Sequence, residues 1–153
     1  MSDTNAEVSL ISPSEWELMR VVWTEGPSKA KTLVENMSKK RQWSESTTKT
    51  LLRRLVSKGI LTTKSVEGQR GFLYTPTVAE KEAMRDQAVQ LFNSMCAMKR
   101  GSVLIELIER MQMTKGDLNN LTKVIENKRE TAPETIDCDC LPGECDEHEG
   151  AAH

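Results

Sequence analysis

Residues 43–59 read WSESTTKTLLRRLVSKG, and the fold turns on how this stretch is read. Ser44 is a helix N-cap and Gly59 a C-terminal stop. At about 100° per residue, Thr48, Leu51, Leu52, Leu55 and Val56 share one face. Ser46, Thr50, Arg53 and Ser57 share the opposite one, flanked by Thr47, Lys49 and Arg54. Any surface helix turns polar residues outward, so polarity alone is not specific. This outer face, however, mixes hydroxyls with cations and has no carboxylate beyond Glu45. Such a set suits phosphate oxygens and base edges in a DNA major groove.

The flanking sequence completes a motif. Upstream, SPSEWELMRVVW (residues 12–23) offers Ser12 as N-cap, Pro13 at the first helical position and Glu15 to close a capping box. Trp16, Met19, Val22 and Trp23 fall on one face, and Gly26-Pro27 stops the helix. A second, short helix is predicted from Ser28 to Ser38, with Ala30, Leu33, Val34 and Met37 inward. Downstream, ILTTKSVEGQR (60–70) and GFLYTPT (71–77) are β-prone runs around a turn at Val66 to Gln69. Three helices and a hairpin describe a winged helix-turn-helix. The third helix would enter the major groove, and Lys64 and Arg70 on the wing would reach the backbone or minor groove.

Three stretches in order, SEWELMRVVW, WSESTTKTLLRRLVSKGIL and GFLYTPTV, resemble the penicillinase-repressor (BlaI/MecI-like) family of bacterial winged-helix regulators. The resemblance runs from about Ile11 to Asn127. It implies a dimer on a palindromic double-stranded operator. Two positions depart from the family pattern: Glu45 and Thr48 stand where a lysine and an aliphatic residue are expected.

From Val78 onward the pattern is helical again. Ala88, Leu91, Phe92, Met95 and Met98 make one stripe; Val103, Leu104, Leu107, Ile108 and Met111 make another after Gly101. Leu118, Leu121, Val124 and Ile125 make a third. These faces carry more apolar surface than a segment of this size can bury internally, which predicts a homodimer. Cys96, between Met95 and Met98, invites a copper-site reading, but methionine at helical spacing is usually core filler and a lone thiol usually a small buried hydrophobe, so its part in any metal site stays open.

Charge is segregated along the chain. Residues 1–76 hold 12 Lys and Arg against 8 Asp and Glu, residues 77–129 hold 9 against 7, and residues 130–153 hold none against 8. The expected organisation follows these limits: a DNA-binding domain (1–76), a helical dimerisation region (77–129) and a disordered acidic tail (130–153). The fold class is mainly α with a small β-hairpin. No apolar run is long enough to span a membrane and no signal peptide is recognisable, so a cytoplasmic protein with reduced thiols is expected.

The tail contains TIDCDCLPGECDEHEG (135–150). Cys138, Cys140 and Cys145 lie within eight residues without a surrounding fold, among acids that raise the local cation concentration. Thiolates favour monovalent copper and zinc. The spacing resembles the first three cysteines of the C-x-C-x4-C-x-C tail of the family's copper-responsive CopY-type branch. Glu147 stands in place of the fourth, and His148 beside it is a candidate ligand. The resemblance implies that Cu(I) displaces Zn(II) in the tail and releases the operator of copper-export genes, with a copper chaperone as a metal donor. The alternative within the same fold is a repressor of antibiotic-resistance genes relieved by proteolysis, its tail incidental. A thiol redox sensor is disfavoured because neighbouring acids raise thiol pKa values. An inert-headed copper buffer would leave the winged helix unexplained. No nucleophile-base pair or phosphate loop points to an enzyme.

Overall fold

A computed structural model describes residues 11–142 of the 153-residue chain. The chain divides into two compact units, to Gln90 and from Leu91.

In the first unit, α1 (Pro13–Glu25) begins with the expected capping box. The Glu15 amide donates to Ser12 Oγ at 3.2 Å, and the Ser12 amide to Glu15 Oε2 at 3.5 Å. Strand β1 (Ser28–Lys29) follows, then α2 (Ala30–Arg41), α3 (Glu45–Ser57), β2 (Leu61–Ser65) and β3 (Phe72–Pro76). The strands form one antiparallel sheet in the order β1-β3-β2, Ser28 facing Tyr74 and Thr63 also facing Tyr74 from the other side. The hairpin turn lies where the sequence puts it, closed by the Gln69 amide on the Val66 carbonyl at 3.0 Å.

Two expectations for this unit need correction. Ser28, read as the start of the second helix, is a strand residue. Pairing with β3 satisfies its backbone, and its hydroxyl donates to the Gly26 carbonyl at 2.8 Å. The same helix also runs on to Arg41, where Gln42 adopts a left-handed conformation that ends it.

The core gathers Leu18, Met19, Val22, Leu33, Met37, Leu51, Leu52, Leu55, Ile60 and Leu61. Its edges are fastened by polar contacts. The Trp23 indole donates to the Val78 carbonyl at 3.0 Å, and the Thr77 hydroxyl donates to the Gly59 carbonyl at 2.6 Å. Glu15, read from sequence only as a capping residue, is also buried, with Lys58 Nζ 2.8 Å from each carboxylate oxygen. An ion pair between residues 43 positions apart ties the start of α1 to the end of α3.

Helix α4 (Glu80–Asn93) leads from the first unit into the second. The second unit contains a 3-10 turn (Ala97–Lys99), α5 (Arg100–Arg110) and α6 (Lys115–Arg129). The expected stripe to Met98 is cut short: α4 ends at Asn93, and α5 begins before Gly101 rather than after it. The Arg100 guanidinium donates to the carbonyls of Met95 (3.1 Å) and Asn93 (3.0 Å), satisfying backbone acceptors that a helix end leaves open. No residue of α5 or α6 is buried within the single chain. Residues 130–142 form neither helix nor strand. Among the described residues no helix is long and apolar enough to cross a membrane.

Candidate functional site

Two groups of side chains stand out. The first is the outer face of α3. The Ser44 hydroxyl caps the helix, accepting from the Thr47 amide at 3.2 Å. At the other end Gly59, at φ +77°, allows a Schellman closure: the Ile60 amide donates to Leu55 and the Gly59 amide to Val56, both at 3.0 Å. With both ends held, Thr48, Leu51, Leu52 and Leu55 are buried, as their periodicity predicts, and Val56 is half-buried. Ser46, Thr47, Lys49, Thr50, Arg53, Arg54 and Ser57 are all exposed.

Local contacts differentiate these exposed groups. Thr50 Oγ1 donates to the Ser46 carbonyl at 2.8 Å, and the Thr47 hydroxyl lies 2.9 Å from that of Ser44. Lys49 pairs with Glu45, whose carboxyl it holds below the usual range. Arg53, Arg54, Lys64 and Arg70 form no ion pair among the described residues, so their charges are available to an external anion. Lys64 is exposed on β2 opposite Leu73, and Arg70 is exposed just past the hairpin turn. The fold therefore presents the α3 cations and the two wing cations on separate elements of one small unit.

The second group is a thiol cluster in the second unit. The sulfurs of Cys96, Cys138 and Cys140 lie within 4.8 Å of one another, Cys96 and Cys138 at 3.7 Å. The Cys140 amide donates to Cys138 Sγ at 3.4 Å. Cys140 is pushed up to about 12, first by its hydrogen bond with the Cys138 thiol and then by that with Cys96, which keeps it protonated at neutral pH in the absence of a cation. Between the tail cysteines, Asp139 accepts from the Ala97 amide at 2.8 Å and from Arg100 at 3.2 Å. The Ala97 contact is the main reason its carboxyl titrates below the ordinary range.

Of the metal ligands expected from sequence, Cys138 and Cys140 are thus brought together, while Cys145 and His148 lie outside the described residues. The addition is Cys96, whose sequence context favours a helical core and leaves its part in a metal site open. It is half-buried in the turn after α4. Three sulfurs can hold a metal ion. Zn–S bonds of about 2.3 Å place sulfurs about 3.8 Å apart in a tetrahedron, close to the Cys96–Cys138 separation.

Comparison with known proteins places the chain. The family model described as penicillinase repressor matches residues 11–127. The chain belongs to the penicillinase repressor family. An uncharacterised 16.5 kDa protein encoded in the ptsI 3′ region of Latilactobacillus sakei is 45% identical over 136 residues, covering 89% of this chain and 92% of that protein. The penicillinase repressor of Bacillus licheniformis is 28% identical over 123 residues, covering 80% and 94%. A solution structure of monomeric Bacillus licheniformis BlaI in complex with the blaP half-operator aligns with a TM-score of 0.44 at 33% identity, over 49% of this chain and 89% of that one. As a member of the penicillinase repressor family the chain is a transcriptional regulator and not an enzyme.

Proposed function

We propose that this chain is a copper-responsive transcriptional repressor that binds a palindromic duplex operator as a homodimer. The DNA-reading part rests on α3. Its inner face is buried, and Ser46, Thr47, Lys49, Thr50, Arg53 and Arg54 face outward to be inserted in a major groove, with Lys64 and Arg70 on the flanking backbone. In this reading residues 1–76 are the DNA-binding domain, 77–129 the dimerisation region and 130–153 the metal-binding tail. Lys49 exchanges Glu45 for DNA on binding. Neutralising phosphates with these cations makes affinity fall as salt rises.

A dimer is supported by the apolar side chains that the second unit leaves open. Leu104 is 49% exposed and Ile105 61% on α5; Leu118, Val124 and Ile125 are 42%, 60% and 46% exposed on α6. A second copy covering them would remove this surface from water. It would also hold two reading helices about one DNA turn, roughly 34 Å, apart.

The observation that carries the copper reading is the convergence of three thiol sulfurs within 4.8 Å in a protein of this family. Soft thiolate donors select monovalent copper and zinc over hard cations. The tail cysteines exchange Zn(II) for Cu(I), Cys145 and His148 being the candidates to complete the zinc set, and the operator is released. A coupling of about 1 to 3 kcal/mol between metal exchange and DNA binding would change operator occupancy about 5- to 150-fold. The setting is the cytoplasm, the metal donor a copper chaperone and the regulated genes those of copper export.

The test is an anisotropy titration of the zinc-loaded protein on duplex DNA carrying the palindrome upstream of the gene, with Cu(I) added anaerobically. A Cys138→Ser, Cys140→Ser, Cys145→Ser variant is run beside it. Release of the wild type but not the variant is expected. A complex that persists in copper would discard the metal switch in favour of relief by proteolysis, and absence of DNA binding would discard the repressor reading altogether.

A further inference from the structure

The turn between α4 and α5 has features that its own sequence does not explain. The last turn of α4 tightens, with the Ser94 and Met95 amides donating to Leu91 (3.2 Å) and Phe92 (3.1 Å), and Cys96 then leaves the helical conformation at φ −52°, ψ 124°. The tail segment 138–140 returns to this turn 42 residues later and is held there in two ways. Asp139 bonds the Ala97 amide and Arg100, while Arg100 is itself anchored on the Met95 and Asn93 carbonyls. On either side of Asp139, the Cys138 and Cys140 sulfurs meet that of Cys96.

We infer that Cys96 is a metal ligand, completing with Cys138 and Cys140 a three-thiolate site for zinc or monovalent copper that clips the tail to the turn leading into α5. This rests on the proposal that the tail binds metal, and deepens it by naming a ligand outside the tail. Geometry favours it. Three sulfurs around one ion lie about 3.8 Å apart in a tetrahedron and about 4.0 Å in a trigonal plane for bonds near 2.3 Å. Cys96 and Cys138 already meet that spacing at 3.7 Å, and no pair, all lying within 4.8 Å, needs to close by more than about 1 Å. The Asp139 contacts do the positioning: they bring the tail to Cys96 through a carboxylate that is not itself in the thiol set, and so present the two tail sulfurs toward that of Cys96.

The consequence is a route for the signal. Cys96 lies four positions before Arg100, the first residue of α5, and α5 carries the exposed Leu104 and Ile105. Exchange of a four-coordinate ion for a three-coordinate one at Cys96 acts on the N-terminal end of that helix. In a site without Cys96 the change would not act directly on the turn that leads into α5.

The experiment is an anaerobic titration of the reduced full-length chain with Co(II) as a zinc probe. It reads the thiolate-to-cobalt charge-transfer intensity per bound ion, and the affinity by chelator competition. Wild type, Cys96→Ser, Cys96→His and Cys138→Ser are compared. Cys96→Ser should lose about a quarter to a third of the intensity, one thiolate of four or of three, and bind at least about tenfold more weakly. Cys96→His should recover affinity but not intensity. Unchanged intensity and affinity in Cys96→Ser, with binding still lost in Cys138→Ser, would overturn the role of Cys96 and leave the tail site standing. No thiolate band in the wild type would overturn the metal site itself. As a check that needs no variant, Zn(II) should protect Cys96 from alkylation together with Cys138 and Cys140. Alkylation of Cys96 at the metal-free rate would equally overturn the role.

Discussion

Replacing Lys58 with methionine isolates the contact that fixes α3 against α1. Glu15 is 2% exposed, and Lys58, whose side chain is 31% exposed, brings its ammonium to 2.8 Å from both carboxylate oxygens. Methionine keeps the stem and removes the charge, stranding a buried carboxylate. Breaking a fully buried pair from one side costs about 3–5 kcal/mol. Here the Lys58 side chain is partly exposed, and Glu15 keeps the Ser12 amide at 3.5 Å, so the loss should sit below that range, at about 2–3 kcal/mol. Urea unfolding followed by the fluorescence of Trp16, Trp23 and Trp43 reads the first unit, where all three lie. The Glu15→Gln, Lys58→Met double variant should recover much of the loss, because no unpaired charge remains. A Lys58→Met variant within about 0.5 kcal/mol of wild type, or strict additivity in the cycle, would refute the idea that this pair holds the helix.

Three further outcomes are expected. Thr48 is fully buried and its Oγ1 finds no hydrogen-bond partner among the described residues, so Thr48→Val should raise stability by about 1 kcal/mol in the same urea assay without altering operator affinity. The Arg41 guanidinium at 2.8 Å and Lys40 at 3.0 Å hold Glu17 down to about 2, from an ordinary 4.5. Its stabilisation is therefore fully present above pH 4.5 and lost as pH falls toward 2, so acid unfolding should be less steep over that window in Glu17→Gln. Arg53→Ala should weaken operator binding by about 1–3 kcal/mol, and anisotropy titrations across a salt series show whether the contact is to base or phosphate: a phosphate contact lowers the salt slope by about one unit.

The legible parts of the fold were those in which local chemistry and burial agree. Ser12, Ser44 and Gly59 bound their helices by hydrogen bonds within a few residues, and the Thr48 to Leu55 face is buried as 3.6-residue periodicity requires. Strand β1 was missed because two residues carry no periodicity, and their pairing with Tyr74 and Leu73 is remote in sequence. Glu15 shows the same limit: its capping role can be read three residues away, its ion pair with Lys58 cannot. At the thiol cluster, Cys138 and Cys140 announce themselves by spacing, whereas Cys96 is camouflaged by Met95 and Met98, which prolong an apolar stripe past the true end of α4 at Asn93. The available signal was Arg100 and Asp139, opposite charges beside the two cysteine positions, but their pairing across 39 residues is invisible without the fold.

By itself, then, the sequence determined the caps of α1 and α3, the two faces of α3, the hairpin turn, the family and the presence of soft donors in an acidic tail. All of these are encoded within one or two helical turns, or in motif order along the chain. Tertiary structure alone decided that Glu15 meets Lys58, that Ser28 becomes a strand and that Cys96 joins the tail thiols. Those outcomes depend on which distant groups satisfy a buried charge, an open strand edge or an uncapped helix end, and no local pattern carries that information.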